Sequence, residues 1–213
     1  MNLIGFDFSI NKSAACVFHN NEYIFYGWPY NLKQEFSNLF NESGVNIIER
    51  TDDKEKGDNI SMKMRYEIKN SVYLAKLITS SLQFYLNRNT YLAFEGLSYA
   101  SSGDVVLQLS SYKYMLMNEL SQYIPLENMF TYSPITVKST AGCAKKGMGK
   151  MEMINTFISN HEIDAVFRFN LLNKSEQFQI IGKRNKKMSW IPLVDDLVDA
   201  YFVLQTLKKK ESI

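Results

Sequence analysis

Two adjacent asparagines, Asn20 and Asn21, constrain this chain more than any other feature. They separate two apolar, β-branched and aromatic runs, SAACVFH over 13–19 and EYIFYGW over 22–28. Asparagine tolerates the positive φ that a two-residue hairpin turn demands, so the runs are predicted to pair as antiparallel strands. A third run over 2–9, NLIGFDFS, alternates in hydropathy and reads as a buried first strand. The chain is therefore expected to open as a three-stranded antiparallel meander.

Beyond the meander the pattern changes to helices and short strands. A helix near 31–42 and a brief strand at 45–49 precede the polar stretch TDDKEKGDN, which reads as an exposed loop. The spacing of Met64, Ile68, Tyr73, Leu77, Ile78, Leu82 and Tyr85 predicts a long amphipathic helix over 61–87. A short strand, YLAFE, ends in a carboxylate at Glu95. A second helix over 104–122 carries Leu109, Tyr112 and Leu116, a stripe that suits a core and is also the candidate dimer surface. A strand at 129–132 follows, and Pro134 can start a short helix through Thr140. The glycine- and lysine-rich AGCAKKGMGK then leads into a helix at 150–160. A strand pair is expected near 166–170 and 177–182, and a last helix from after Pro192 to about Lys210. This order predicts an α/β protein with a mixed sheet flanked by helices. Its 213 residues suit a single domain over 1–213 with insertions around 29–60 and 161–190.

Composition removes several function classes. The net charge of +2 is too small to argue for nucleic acid by itself, so such a partner must be inferred from where the lysines sit. Cys16 and Cys143 have no zinc spacing and read as free thiols of a reducing compartment. The first residues lack the basic and apolar regions of a signal peptide, and no run reaches the ~20 apolar residues of a membrane span. The expectation is a soluble, cytoplasmic protein. His19 and His161 are the only histidines, which argues against a zinc hydrolase or a Ser-His mechanism.

Four carboxylates remain as candidates for chemistry. Asp7 lies in the first strand and Glu95 ends a later one. A carboxylate at the end of a buried strand is costly unless it is compensated, by a cation or by nearby backbone amides. Asp196 and Asp199 are three residues apart and share a face of the last helix. Acids there also suit the positive end of the helix dipole, with Asp195 available as N-cap. Together the four could supply the oxygen ligands of a two-metal site.

On IGFDFS at the start, LAFEGLSYASSG in the middle, SPITVKSTAG…GMGK after it and DDLVDAYF at the end, the chain resembles the RuvC-type Holliday junction resolvases. The resemblance implies an RNase H-like fold. It implies that Asp7, Glu95, Asp196 and Asp199 are catalytic and hold two Mg²⁺ ions, with Mn²⁺ as a substitute. It implies a homodimer that cuts opposing strands of a four-way DNA junction; the lack of a long apolar run separately predicts no membrane partner. Lys138 and Lys150 fall near the family's two functional lysines, and Lys145 and Lys146 lie in the glycine-rich loop between them. Glycines let a backbone approach phosphates while lysines add charge. The family's junction-entering aromatic just after the glutamate is displaced here, where Leu97-Ser98-Tyr99 stand, and Tyr99 is the candidate for stacking on a base. Lys183, Arg184, Lys186 and Lys187 form a basic cluster that could grip phosphates. A nuclease on flaps or RNA–DNA hybrids and a non-catalytic DNA-binding protein stay open beside the resolvase. An actin-like ATPase would need a second lobe for which this chain is too short.

Overall fold

The computed structural model describes residues 1–52, 59–96, 103–145, 148–161, 163–181 and 188–213. Asn20 and Asn21 both adopt positive φ, 50° and 66°. They join β2 (Lys12–His19) to β3 (Glu22–Pro29) in a continuous antiparallel register, from Lys12 opposite Pro29 to His19 opposite Glu22. On its other edge β2 pairs antiparallel with β1 (Asn2–Asp7). Next to β1 lies β5 (Thr90–Glu95), parallel to it, and next to β5 lies β6 (Met129–Tyr132), again parallel. A short β4 (Val45–Ile47) adds parallel to β3, giving the order β4-β3-β2-β1-β5-β6. The mixed sheet flanked by helices is the architecture that the order of elements predicts, and it is consistent with the RNase H-like fold that the resemblance implies.

Side-chain alternation divides the interior into two cores, one on each face of the sheet. Ile4 and Phe6 of β1 and Leu92 and Phe94 of β5 point one way. They pack with Leu74 and Ile78 of α2 (Ile60–Leu82) and with Tyr112 and Leu116 of α3 (Gly103–Leu120). Leu3, Ala14, Cys16 and Ala93 point the other way, onto α7 (Val194–Glu211). Also in this second core are Phe40 of α1 (Gln34–Glu42), Val137 of α4 (Pro134–Thr140), Phe157 of α5 (Lys150–Ser159) and Phe167 of α6 (Val166–Asn173).

Gly5 explains how closely α7 seats. A β-carbon there would stand 2.8 Å from Leu204 Cβ and closer still to the Ala200 carbonyl oxygen and the Leu204 nitrogen. Any larger residue must push the helix off the strand. The same face of β1 that carries Gly5 carries Asp7 two residues on.

The structure corrects several expectations. Met64 and Ile68 do not join the buried face of α2: both are more than half exposed, and burial begins at Ser71. A helix of 23 residues is ~35 Å long, whereas a six-residue strand spans ~20 Å, so part of α2 overhangs the sheet. Residues 166–170 form the start of α6, not a strand. The alternation in VFRF imitates period 2, but the residues buried are Phe167, Arg168 and Leu171, with Phe167 and Leu171 four apart on one helix face. The strand pair instead joins β7 (Gln179–Ile181) to β8 (Met188–Trp190) as a separate two-stranded sheet. Tyr112 and Leu116 are buried and Leu109 packs against them, so this stripe is core. Among the described residues no helix is long and apolar enough to cross a membrane. Of the polar loop after β4, residues 53–58 lie outside the described residues. Arg50 at its start is buried, pairs with Asp52 and donates to the Ile10 carbonyl, bracing the turn between β1 and β2.

Replacing Gly5 by alanine should destabilise the protein by about 1–3 kcal/mol, because backbone rather than a flexible side chain meets the added methyl. Urea unfolding measures this, and an unchanged midpoint would contradict the tight seating of α7.

Candidate functional site

Asp7 and Glu95 reach one face of the sheet through strand register alone. Gly5 lies opposite Ala93 and Phe6 opposite Phe94 in the parallel pair β1–β5. Two residues beyond the Gly5–Ala93 level, Asp7 and Glu95 project to the same face, at the carboxyl ends of adjacent strands. That is the face α7 covers. The helix begins after Leu193, which takes φ 87° as the N-cap residue, so Asp195 is not the cap. Its first turns carry Asp195, Asp196 and Asp199, of which Asp196 and Asp199 are buried.

The four carboxylates sense one another. Burial raises the pKa of Asp7 well above the ordinary aspartate value, and the charges of Asp199, Asp196 and Glu95 raise it further. Burial likewise pushes Asp199 up to about 7; Lys150 opposes this, while Glu95, Asp195 and Asp196 add to it. Glu95 is raised by burial against the pull of Lys150, Lys138 and Lys113. Asp196 is raised by burial and by Asp195, against the attraction of Lys12 and Lys150. Like charges are therefore concentrated at one place on the sheet, drawn from the ends of two strands and the start of a distant helix.

Two ammonium groups border this concentration. Lys150 is the first residue of α5, an end of a helix where the dipole disfavours a cation. It bonds to the Asp195 carboxylate and stands 3.9 Å from Asp199 Oδ2, and these partners offset the unfavourable placement. Burial alone would lower its pKa, but the bond to Asp195 and the nearby aspartates leave it raised. Lys12, at the start of β2, donates to Asp196 Oδ2 at 2.9 Å and lies 3.9 Å from Asp195 Oδ1. A third amine approaches from the other core. Lys113 of α3 is buried, donates to the Glu95 backbone carbonyl at 3.1 Å and lies 5.0 Å from the centroid of the Phe94 ring. Burial lowers its pKa to about 8, opposed by Glu95.

The structure thus gathers Asp7, Glu95, Asp196 and Asp199, with Lys150 among them and Lys138 of α4 close enough to act on Glu95. Lys145 is exposed in the loop before α5. Tyr99, Lys146, Lys183, Arg184, Lys186 and Lys187 lie outside the described residues. Sequence reasoning missed Lys12, Lys113 and the ion-pairing role of Asp195. Lys12 was within reach of it: Asp7 pairs with Ala14, and Lys12 shares the parity of Ala14, so a known hairpin register puts lysine and aspartate on one face. Lys113 carries no such signal, because its stem crosses an apolar core before reaching a carbonyl.

Chemically, the donor set is all oxygen, the type that hard divalent cations prefer. Among the described residues no three His, Cys, Asp or Glu side chains stand close enough together to hold a metal ion as they are. The aspartates instead spend oxygens on Lys12 and Lys150.

No protein-family model matches the chain. No curated protein matches its sequence. Solved structures do match it. The chain aligns over 99% of its length with 96% of Thermus thermophilus RuvC in complex with a Holliday junction substrate, at TM-score 0.55 and 10% identity. A second Thermus thermophilus RuvC structure aligns over 100% of this chain and 97% of its own, at TM-score 0.54 and 11% identity. At such identities the likeness is one of fold, and it extends over nearly the whole of both chains.

The metal-free protein should lose stability as pH rises. Asp199 binds its proton up to about pH 7 when folded, against 3.8 when unfolded. Below the unfolded value both states are protonated; above it the unfolded chain ionises first and the native form loses its relative advantage. Acting alone, Asp199 would remove roughly 4 kcal/mol between about pH 4 and pH 7. In chelator, Tm should fall by about 5 °C or more from about pH 5 to about pH 8, and Asp199→Asn should flatten the profile. A Tm that rises over that interval would contradict the crowding of carboxylates.

Proposed function

We propose that the chain is a Mg²⁺-dependent, structure-selective DNA endonuclease that resolves four-way junctions. What supports this reading is that strand register brings Asp7 and Glu95 to the face covered by α7, whose first turns bury Asp196 and Asp199, and that the charges of Glu95, Asp196 and Asp199 act on Asp7 while Lys150 and Lys138 act on Glu95. Burying like charges near one another is unfavourable unless cations compensate them, a role that Lys12 and Lys150 fill in part and that a bound metal would complete. The full-length fold likeness to a protein solved with a Holliday junction supports the choice of substrate.

In this reading the four carboxylates hold two Mg²⁺ ions, with Mn²⁺ as a substitute. Bound ions of this kind supply Lewis-acid activation of water and neutralise charge on the phosphate. The chain's own residues do the rest. Asp7 and Glu95, on adjacent strands, keep their spacing because the sheet is rigid. Asp196 and Asp199 are positioned by the seating of α7 on Gly5. Lys150 and Lys138 offer positive charge to a phosphate backbone beside the acids. Two copies acting together would meet the two-fold symmetry of a junction. Val105, Leu107 and Tyr114 of α3 are exposed large side chains that would be available to such a pairing. The displaced aromatic near Tyr99 favours testing flaps and RNA–DNA hybrids beside the four-way junction.

Asp7→Asn and Asp199→Asn should each reduce Mg²⁺-dependent cleavage of a mobile four-way junction by about 10³-fold or more, since each removes a carboxylate of the metal centre. Junction binding in a gel shift at fixed salt should change little. A variant that cuts as well as the parent would remove that residue from the site, and equal cutting of plain duplex would remove the junction selectivity.

A further inference from the structure

Lys12 lies outside the four acids and the two lysines of the resemblance, yet it is bonded directly to one of the four acids. Its Nζ donates to Asp196 Oδ2 at 2.9 Å. Taking the proposed metal centre as given, we propose that Lys12 is an exchangeable internal counter-ion. Its ammonium holds Asp196 in place of the divalent cation and must leave that oxygen before the cation takes it.

The backbone beneath Lys12 is held from three directions. Its own N–H donates to Ser9 Oγ at 2.9 Å, Arg50 donates to the Ile10 carbonyl, and the Tyr30 N–H donates to the Asn11 carbonyl at 2.7 Å. The side chain is not held in the same way. It is 38% exposed, and a lysine stem has four rotatable carbons, so the ammonium has an open route to solvent. A fixed anchor with a free arm is what a reversible counter-ion requires.

The charges cannot both be accommodated. A divalent cation sits ~2.1 Å from a carboxylate oxygen, and an ammonium at hydrogen-bond distance from the same group would repel it at close range. Lys12 reaches Asp196 and Asp195 from β2 while Lys150 reaches Asp195 and Asp199 from α5, so the first turns of α7 are held by ammonium groups from two sides. In this state ammonium groups take the aspartate oxygens, and among the described residues no three acidic side chains are arranged to hold one ion. Releasing Lys12 frees the Asp196 oxygen it occupies.

Titration of MnCl₂ into the metal-stripped full chain, followed by calorimetry at constant ionic strength, tests this. Lys12→Met should bind Mn²⁺ about three- to tenfold tighter than the parent, and Lys12→Arg, which keeps the charge, within about twofold. Lys12→Met should also melt lower without metal, because Asp196 loses its partner, and show a larger rise in Tm on adding Mn²⁺. Equal or weaker Mn²⁺ binding by Lys12→Met, with native circular dichroism, would overturn the proposal while leaving the metal centre intact. Lys12→Gln serves the same comparison if Lys12→Met fails to fold. No Mn²⁺ binding by parent or variant would overturn the metal centre itself, and this inference with it.

Discussion

Helix α7 lies so close to β1 that a methyl group at Gly5 would meet its backbone. That contact sets how close the helix lies to the sheet, and its first turns come correspondingly near the strand ends. Asp196 and Asp199 come to stand above the ends of β1 and β5 only because the helix can approach this far. The hydrophobic core on that face is built around the same contact, with Ala14, Ala93 and Ala200 keeping the layers near each other. Small residues on the inner strands thus do for the site what large ones do for the opposite core, where Phe6, Phe94 and Trp28 fill the space.

Having gathered acids, the fold must compensate them. It uses amines from three elements: Lys12 from β2, Lys150 from α5 and Lys113 from α3. Lys12 is favoured by its aspartate partner, whereas Lys150 stands at a helix start and Lys113 crosses an apolar core, both against local preference. The segment between β3 and α2 takes part too, since Arg50 fixes the turn from which Lys12 extends.

Much of the architecture was legible in advance because the signals were local. The paired positive φ at Asn20 and Asn21, proline at the start of α4 and the apolar spacing of α7 each act over a few residues. Local signals failed where two periods coincide, as in Val166–Phe169, and where a helix outruns the sheet that buries it, as at Met64 and Ile68. Neither property is visible within a short window, because one depends on the neighbour that buries the segment and the other on the length of a different element.

Sequence by itself determined the meander, the mixed order of strands and helices, and which carboxylates stand at strand ends and on one helix face. Those follow from backbone preference and from the two- and 3.6-residue periods that direct side chains. Only the tertiary structure decided that the acids of β1, β5 and α7 sense one another, that Asp195 pairs with lysines instead of capping its helix, and that Lys12 and Lys113 reach the same place. Those depend on strand register and on the distance between layers, which are properties of packed surfaces and are written in no single stretch of the chain.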